Sequence, residues 1–506
     1  MRVWSARKNL FRRHRAVVRS YVLTFVCVMT SVAAQGQQAL ELTIQWDKIT
    51  VVSKSTPTFQ VVVNPPLRPG EPLSVAAYKA VKELGADYVR YVPWLPYPRL
   101  AVAELQPPTA QKTSWDFSII DPMTKDFLAA TEGHPTVMNF STMPTWLFKT
   151  SKPATYPDDP NKPVWDYTQG TELRDPTGKE IGDYYARLVS WYVNGGFTDE
   201  NGVEHQSGYH YKFPVWEVLN EVESEHSMTP QDYTKRYDAI VEAIHRVSPE
   251  TKFMGMALSA PSGHPDFVEY FLNPANHKPG IPLDYISYHF YASPTPSQTI
   301  ANWQYTFFDQ ADGFLNTVRY VEAIRKRLSP ATKTDLDELG VILPTDNTDA
   351  DKVPPPVGYY NLAGSLYAYL YIELSKLQID LIGESQLVGY PTQYPSVSMM
   401  NWINNKPNPR FWVLKLIKDN FHPGDSLVVT NLEGPDVEAQ AFLTASGHKL
   451  LLANKRDHAV EVKLPDAQNA TALRVDESTV DEPARSVKPG DGKIKLEPFA
   501  VMVVTW

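Results

Sequence analysis

The sequence predicts an α/β protein: a (β/α)8 TIM barrel with an accessory C-terminal β-sandwich. Two observations lead to this fold class. Eight short apolar strands alternate with helical segments over residues 55–420, as in a parallel barrel with long loops. From residue 421 to 506 the pattern changes to short alternating segments separated by turn residues, which is typical of a sandwich. A doubly wound open sheet is the alternative, but no Gly-rich phosphate turn follows the first strand.

The predicted barrel elements follow from apolar patterning. Strands are predicted at residues 58–63, 87–92, 136–140, 215–219, 252–258, 285–290, 334–338 and 380–385. Helices are predicted at residues 75–84, 121–131, 184–193, 230–247, 303–328 and 359–377. The fourth of these helices starts at Thr229-Pro230 and repeats apolar residues at helical spacing.

The sandwich is predicted from seven further segments. They are residues 426–430, 439–443, 449–453, 459–464, 472–475, 493–496 and 500–505. The N-terminal stretch 35–54 also reads as one or two strands. Because the barrel has no use for these strands, we expect them to join the sandwich.

Composition and charge limit the function classes. The chain has 506 residues, of which 43% are hydrophobic and 21% are charged, and this favours a folded protein of more than one domain. The formal net charge is −9. Residues 1–34 carry seven basic residues and no acid, so the rest of the chain is strongly acidic. A strongly acidic protein repels the phosphate backbone, so nucleic acid is not expected as a partner.

Residues 1–34 have the features of an export signal peptide. A basic segment precedes the short apolar run 21–29, and Val32-Ala33-Ala34 offers small residues for cleavage. An uncleaved signal anchor is the alternative, and Arg12-Arg13 fits a twin-arginine signal poorly. We expect an exported protein, secreted or periplasmic, without stable membrane insertion after cleavage. The one cysteine, Cys27, lies in this segment, so the mature protein would have no disulfide or thiol chemistry.

The most informative stretch is residues 213–221, FPVWEVLNE, an apolar strand that ends in Asn220 and Glu221. Parallel barrels keep their chemistry at the carboxyl ends of the strands. Glu221 is therefore a candidate general acid, with Asn220 beside it to orient a substrate hydroxyl. Glu338 ends the seventh predicted strand, which faces the fourth across the barrel mouth.

Two carboxylates across a pocket suit the cleavage of a glycosidic bond. One protonates the leaving oxygen, while the other attacks the anomeric carbon or activates water. Glu221 would need a pKa raised by burial, and Glu338 would need to stay ionised. Further candidates for binding substrate or holding Glu338 are Arg90, Asn139, Asn220, His289, Tyr291 and Trp402. Trp94 and Trp146 are candidates for extending the aromatic platform.

Other carboxylates compete for these roles, namely Glu217, Glu223, Asp337 and Glu384. In a regular strand Glu217 shares a face with Glu221, so a bulge or an early strand end is needed to favour one of them. Asp337 and Glu338 would point to opposite faces, and alternation does not say which points inward. The histidine spacing matches no zinc motif, and a Gly-x-Ser-x-Gly elbow is missing, so we predict no metal and no cofactor.

The pattern resembles the retaining glycoside hydrolases of clan A, and within it family 39, the group of β-xylosidases and α-L-iduronidases. The resemblance rests on WEVLNE at residues 216–221, YHFY at residues 288–291 and Asp337-Glu338. It spans roughly residues 55–505. It implies that Glu221 is the acid/base and Glu338 the nucleophile, and that Asn220 binds the 2-hydroxyl of the glycone. Family members often have an aromatic or polar residue after the nucleophile, where this chain has Leu339-Gly340.

We therefore expect a retaining glycoside hydrolase that acts on an oligosaccharide or polysaccharide through a glycosyl-enzyme, with the two carboxyl groups about 5–5.5 Å apart. Xylosides are the first candidate substrates. Exopolysaccharide is the second, because long aromatic loops could form an extended cleft. A non-catalytic carbohydrate-binding protein and a transglycosylase on the same scaffold are the alternatives.

Overall fold

Strands and helices alternate along most of the chain before a final run of strands. The computed structural model describes residues 39–151, 155–164, 170–344, 355–389, 395–401 and 403–506. The strands are β1 (Leu40–Val52), β2 (Thr56–Val63), β3 (Val89–Pro93), β4 (Thr136–Met138), β5 (Gly196–Thr198), β6 (Glu204–Gln206), β7 (Val215–Val218), β8 (Lys252–Leu258), β9 (Tyr285–Ala292), β10 (Lys333–Val341), β11 (Leu381–Glu384), β12 (Met400–Asn401), β13 (Lys406–Pro407), β14 (Ser426–Leu432), β15 (Val437–Thr444), β16 (Gly447–Asn454), β17 (Val460–Lys463), β18 (Thr471–Val475), β19 (Arg485–Val487), β20 (Lys493–Leu496) and β21 (Val501–Thr505). The helices are α1 (Pro72–Leu84), α2 (Pro98–Ala101), α3 (Ile120–Ala130), α4 (Lys179–Val193), α5 (Pro230–Val247), α6 (Pro265–Phe271), α7 (Ile300–Leu328), α8 (Tyr359–Lys376) and α9 (Pro409–Lys418).

The barrel is a closed parallel sheet. Its strands follow one another in the order β2, β3, β4, β7, β8, β9, β10 and β11. Strand β11 pairs in parallel with β2, which closes the ring. This closure excludes the doubly wound open sheet, and the predicted (β/α)8 barrel with a C-terminal β-sandwich is confirmed.

Helix α5 shows how the sequence fixes the ends of the barrel strands. The Thr229 hydroxyl accepts a hydrogen bond from the Asp232 amide at 3.1 Å, and Pro230 suits the first helical turn. The buried face of the helix includes Tyr233. The Tyr233 hydroxyl donates to the Val218 carbonyl at 3.0 Å and accepts from the Met256 amide at 2.7 Å. The helix is thereby tied to the carboxyl ends of β7 and β8, where the pocket opens.

The sandwich is built on a sheet in the order β19-β18-β21-β16-β15-β14-β1-β17-β20. Strand β1 pairs antiparallel with β14 and parallel with β17. Both faces of the central strands are apolar: Leu450 and Leu452 belong to the sandwich core, whereas Leu451 and Ala453 belong to the core of the barrel. The two domains therefore share a hydrophobic interface rather than a linker.

The predicted export signal, residues 1–34, lies outside the described residues. Within the part of the chain that the structure describes, none of the helices combines the length and the apolar character needed to cross a bilayer.

Candidate active site

A pocket of about 180 Å³ opens at the carboxyl ends of the barrel strands. Glu221 and Glu338 both line it, together with Asn220 and Tyr291. Glu221 has a quarter of its side chain exposed, and Glu338 about a tenth. One carboxylate oxygen of Glu221 and one of Glu338 lie within 4.8 Å of each other. The sequence-predicted pair thus meets across a single small pocket.

The strand that carries Glu217 ends early, which separates this residue from Glu221. Strand β7 stops at Val218, and Leu219 and Glu221 adopt positive φ angles of 67° and 42°. The Glu221 amide donates to the Ala257 carbonyl at 2.9 Å, so the turned chain is fixed against β8. Glu217 stays buried inside the barrel, while Asn220 and Glu221 reach the pocket. Such left-handed conformations in non-glycine residues cost energy and concentrate at functional sites.

A bulge in β10 brings both residues of the Asp337-Glu338 pair inside. The register of β10 shifts by one residue against both neighbouring strands between positions 335 and 339. The inward face therefore passes from Asp335 and Asp337 to Glu338 and Gly340. Asp337 lies 3.0 Å from the Arg90 guanidinium, and Glu338 lies 2.6 Å from it. In a regular strand only one of these two acids could point inward, whereas the bulge allows both to do so.

Arg90 is the centre of the polar layer below the pocket. This buried guanidinium donates to Glu338 Oε1 at 2.6 Å, to Asn220 Oδ1 at 2.6 Å and to Gln60 Oε1 at 2.8 Å, and it also pairs with Glu217. Burial alone would lower the pKa of Arg90, but the surrounding carboxylates outweigh it and raise this pKa well above its usual value. Arg90 holds Glu338 and Asn220 in position without lining the pocket.

His289 and Tyr291 lie on β9, where His289 contacts both glutamates and Tyr291 contacts Glu338. His289 Nδ1 lies 3.1 Å from Glu221 Oε1 and 3.5 Å from Glu338 Oε2. Burial would lower the pKa of His289, but the charges of Glu338 and Asp337 outweigh it and raise this pKa well above the usual value. The Tyr291 hydroxyl donates to Glu338 Oε2 at 2.7 Å. Both oxygens of Glu338 are therefore held by hydrogen-bond donors.

The remaining predicted site residues lie at different depths. Asn139 is buried below the pocket, where its amide donates to Glu217 Oε2 at 2.6 Å and to the Leu219 carbonyl at 2.9 Å. It is placed to orient Glu217 rather than to touch a ligand. Trp94 lines the pocket, whereas the Trp146 ring lies away from it and donates to the Glu104 carbonyl. Trp402 lies outside the described residues.

The competing carboxylates have other partners. Glu217 is bound by Arg90 and by the Ser287 hydroxyl, and burial raises its pKa to about 7. Glu223 accepts from the Ser259 hydroxyl at 2.8 Å outside the pocket lining. Glu384 accepts from Arg410 Nε at 2.8 Å. Each of these acids is held within the fold.

Three polar pocket residues were not predicted: Gln60, Glu225 and Gln386. Gln60 is a polar residue inside an otherwise apolar barrel strand, a signal that could have placed it among the inward-facing groups. Glu225 lies one helical turn after Glu221 in sequence, but the loop between β7 and α5 has no regular period from which its direction follows. Gln386 follows the last barrel strand.

The same side chains could also be considered as a cation site. One ligand atom from each of Glu221, His289 and Glu338 lies within 4.8 Å of the others. A metal requires a neutral imidazole. The raised pKa of His289 makes this ring a hydrogen-bond donor instead. The donor set therefore fits an organic hydroxyl better than a metal ion.

A comparison with known proteins assigns the chain to a family. Residues 71–338 match the model of glycosyl hydrolases family 39, more than half of the chain. The chain belongs to glycosyl hydrolase family 39. This assignment makes it an O-glycosyl hydrolase with a carbohydrate substrate. Residues 435–504, in the sandwich of this family 39 protein, match the C-terminal immunoglobulin-like domain of D-apionate lactonase.

Solved glycosidases share the fold of this family 39 chain. A GH51 arabinofuranosidase from Xanthomonas axonopodis pv. citri is similar with a TM-score of 0.61 and 13% identity, over 92% of this chain and 99% of that one. An α-L-arabinofuranosidase from Thermotoga maritima gives 0.59 at 15% identity, and a GH30 endoxylanase from Clostridium papyrosolvens C71 gives 0.55 at 13%, both over the same shares. At these identities the likeness concerns the fold alone. No curated protein matches the sequence.

Proposed function

We propose that this glycosidase is a retaining enzyme in which Glu221 is the acid/base and Glu338 the nucleophile. The observation that carries the proposal is the approach of their carboxylate oxygens to within 4.8 Å across one pocket. Retaining glycosidases keep the two carboxyl groups about 5–5.5 Å apart, whereas inverting enzymes leave about 6.5–9.5 Å for a water molecule. The short separation favours direct attack on the sugar.

In the first displacement, Glu338 forms a bond to the anomeric carbon while the bond to the leaving oxygen breaks. Glu221 gives its proton to that oxygen. Arg90 Nη1 at 2.6 Å and the Tyr291 hydroxyl at 2.7 Å hold the two oxygens of Glu338, which keeps the nucleophile in a fixed orientation. A nucleophile held in this way meets the anomeric carbon already oriented, which removes part of the entropic cost of the reaction.

In the second displacement, Glu221 takes a proton from water as the water attacks the anomeric carbon, and Glu338 leaves as a carboxylate. Negative charge thus moves from Glu338 to Glu221 and back. His289 lies within 3.1 Å of the first carboxylate and 3.5 Å of the second. A protonated imidazole in this position attracts the charge at either end of its path.

The pocket favours a single neutral pentose as glycone, and xylosides are the proposed substrates. Its volume of about 180 Å³ is below the roughly 300–1,000 Å³ of sites for larger ligands. Part of the lining is aliphatic, including Val62, Val92 and Ile342. A pentopyranose lacks a hydroxymethyl group, so it leaves no hydroxyl unsatisfied against such a wall. Asn220, fixed by Arg90, is the proposed partner of the 2-hydroxyl.

The decisive experiment compares wild type, Glu338→Ala and the control Glu223→Ala on a panel of aryl glycosides with and without azide. We expect Glu338→Ala to lose activity by about 10³-fold or more. Azide should then restore turnover and give a glycosyl azide of inverted configuration. The control Glu223→Ala should retain activity. The glycoside that wild type cleaves fastest identifies the preferred glycone.

Three results would each contradict a different part of this proposal. Turnover of every activated glycoside at wild-type rate by Glu338→Ala would remove this residue as nucleophile. Sugar binding without any turnover by wild type would support a non-catalytic binding protein. Products longer than the substrate, in place of free sugar, would indicate a transglycosylase.

A further inference from the structure

A third carboxyl group, that of Glu225, lines the same pocket as Glu221 and Glu338. Its side chain is only 9% exposed. The Trp94 indole donates to Glu225 Oε1 at 2.9 Å, and the Asn220 amide donates to the same oxygen at 3.3 Å. Two donors from different strand ends thus fix one side of this carboxyl group in the pocket wall.

The other oxygen of Glu225 is unused. Oε2 is buried and has no hydrogen-bond partner among the described residues. The ring of His226 is close, with Nε2 at 3.9 Å from this oxygen, which is too far for a hydrogen bond. A buried polar atom of this kind costs free energy unless a ligand or water pairs with it. Because Glu225 lines the pocket, a bound ligand is the group that can supply a partner for this carboxyl group.

We propose that Glu225 is a glycone-binding residue that donates a hydrogen bond from a protonated carboxyl group to a hydroxyl of the bound sugar. The proposal rests on the function proposed above, because it places the glycone in the pocket between Glu221 and Glu338. Asn220 contacts both Arg90 and Glu225. The hydroxyl that Asn220 binds therefore lies beside Glu225 as well.

The charges around Glu225 support the protonated form. Burial, followed by the charge of Glu221, raises the pKa of Glu225 to about 8, with a smaller contribution from Glu338. The donors Trp94 and Asn220 oppose this shift without cancelling it. Burial lowers the pKa of the adjacent His226 to about 3, so that ring stays neutral and supplies no counter-charge.

No basic side chain lines the pocket among the described residues. An ionised Glu225 would be a second negative charge beside the one that moves between Glu338 and Glu221 during the reaction. A neutral carboxyl group instead acts as a donor, and a buried protonated acid is an established device for binding an oxygen. The same wall disfavours a glycone that carries a carboxylate of its own.

The test uses Glu225→Gln, Glu225→Ala and Glu104→Gln. Glutamine has the shape of the protonated acid and keeps a donor and an acceptor, whereas alanine removes both. Glu104 is a matched control, because burial also raises its pKa to about 8 but it does not line the pocket. The kcat and KM of each protein are measured from pH 5 to 9 on the aryl glycoside that wild type cleaves best.

At pH 6 we expect Glu225→Gln to stay within about threefold of wild type, and Glu225→Ala to raise KM about tenfold with a smaller change in kcat. Above pH 8 wild type should decline more steeply than Glu225→Gln. Glu104→Gln should follow wild type. An unchanged KM in Glu225→Ala would reduce Glu225 to a structural role, and equal impairment of the glutamine and alanine variants would show that a charged carboxylate is needed.

If wild type cleaves no aryl glycoside, that result counts against the proposed function and not against the role of Glu225, which is then tested by binding. Calorimetric titration with D-xylose, L-arabinose and D-glucose then compares wild type with Glu225→Ala. Binding about tenfold weaker in the variant supports the role of Glu225 in the pocket, whereas equal binding, or none to either protein, overturns it. The protonation is checked separately by the melting temperature: the gap by which Glu225→Gln exceeds wild type should be much larger at pH 8.5 than at pH 5. A constant gap would refute a protonated Glu225.

Discussion

At the scale of single residues, the site depends on side chains that touch the two glutamates rather than on the glutamates alone. Arg90 joins Glu338, Asn220, Gln60 and Glu217 in one buried network. A lysine keeps the charge but cannot reproduce the fork of a guanidinium. The geometry of the nucleophile therefore depends on a residue of β3 that does not itself line the pocket.

We expect Arg90→Lys to lower kcat about 100-fold or more, because Glu338 and Asn220 lose their shared donor. Steady-state kinetics measures the effect. Arg325→Lys is the control: Arg325 pairs with Glu322 in α7 and lies outside the pocket lining. Comparable activity loss in both variants would show that general stability, not the network, is responsible.

Neighbouring tyrosines on β9 offer a matched pair. Tyr291→Phe removes a donor from Glu338, so kcat should fall about tenfold or more with little change in KM. The buried Tyr288 hydroxyl has no partner among the described residues, so Tyr288→Phe should keep full activity and raise the free energy of unfolding by up to about 1 kcal/mol. Kinetics and denaturant unfolding of the two variants separate these effects, and identical behaviour would contradict the assigned contacts.

At the scale of elements, the bulge in β10 needs a glycine on the strand beside it. A Cβ on Gly383 of β11 would lie 3.0–3.1 Å from three backbone atoms of Leu336 and Asp337. Backbone atoms in a closed barrel cannot move aside as a flexible side chain can. The bulge that brings Glu338 inward is therefore accommodated by the absence of a side chain on its neighbour.

Gly383→Ala should accordingly lower the free energy of unfolding by about 2 kcal/mol or more, as overpacking does. Gly313→Ala in α7 is the control, since its Cβ would meet open space. That change should stabilise the protein by roughly 0.5–1 kcal/mol through helix propensity. Urea unfolding measures both, and a neutral Gly383→Ala would mean that the bulge can relax.

The elements also mark where sequence reasoning succeeds and where it ends. Amphipathic helices such as α5 were predicted well, because one face is apolar at a regular period. Helix α9 was not predicted, since it is buried on nearly all sides and shows no such period. The sequence left two choices open, between Glu217 and Glu221 and between Asp337 and Glu338. The first depended on a strand end fixed by the Tyr233 hydroxyl, and the second on a bulge in β10. Both involve contacts with residues distant in sequence, so alternation within one strand could not reveal them.

At the scale of the whole molecule, burial raises the pKa of several carboxyl groups. Burial raises the pKa of Glu104 and Glu225 to about 8 and that of Glu217 and Glu384 to about 7. In the unfolded chain such groups ionise near pH 4.3. At neutral pH the folded protein therefore holds protons that the unfolded chain releases.

Linkage then gives the sign of the pH dependence: the free energy of unfolding should rise as pH falls from 8.5 to 6.5. Below pH 6.5 the buried His226, whose pKa burial lowers to about 3, begins to oppose the trend, because the unfolded chain gains a proton that the folded chain does not. Urea unfolding at pH 8.5, 7.5 and 6.5 tests this. Stability that is flat or higher at pH 8.5 would mean that these carboxyl groups are ionised in the fold.

The position of β1 has a consequence for the order in which the chain can acquire its structure. This strand pairs with β14, and Leu42 lies opposite Leu432, about 390 residues later. At roughly 5–20 residues per second, a ribosome needs roughly 20–80 s to make that intervening chain. The barrel strands emerge during this interval, while β1 waits without its partner. Pairings so distant in sequence form slowly, and an unpaired apolar strand invites association between nascent chains. The sheet can thus close around β1 only after the whole barrel has been made, because β14 and β17 both follow the last barrel strand.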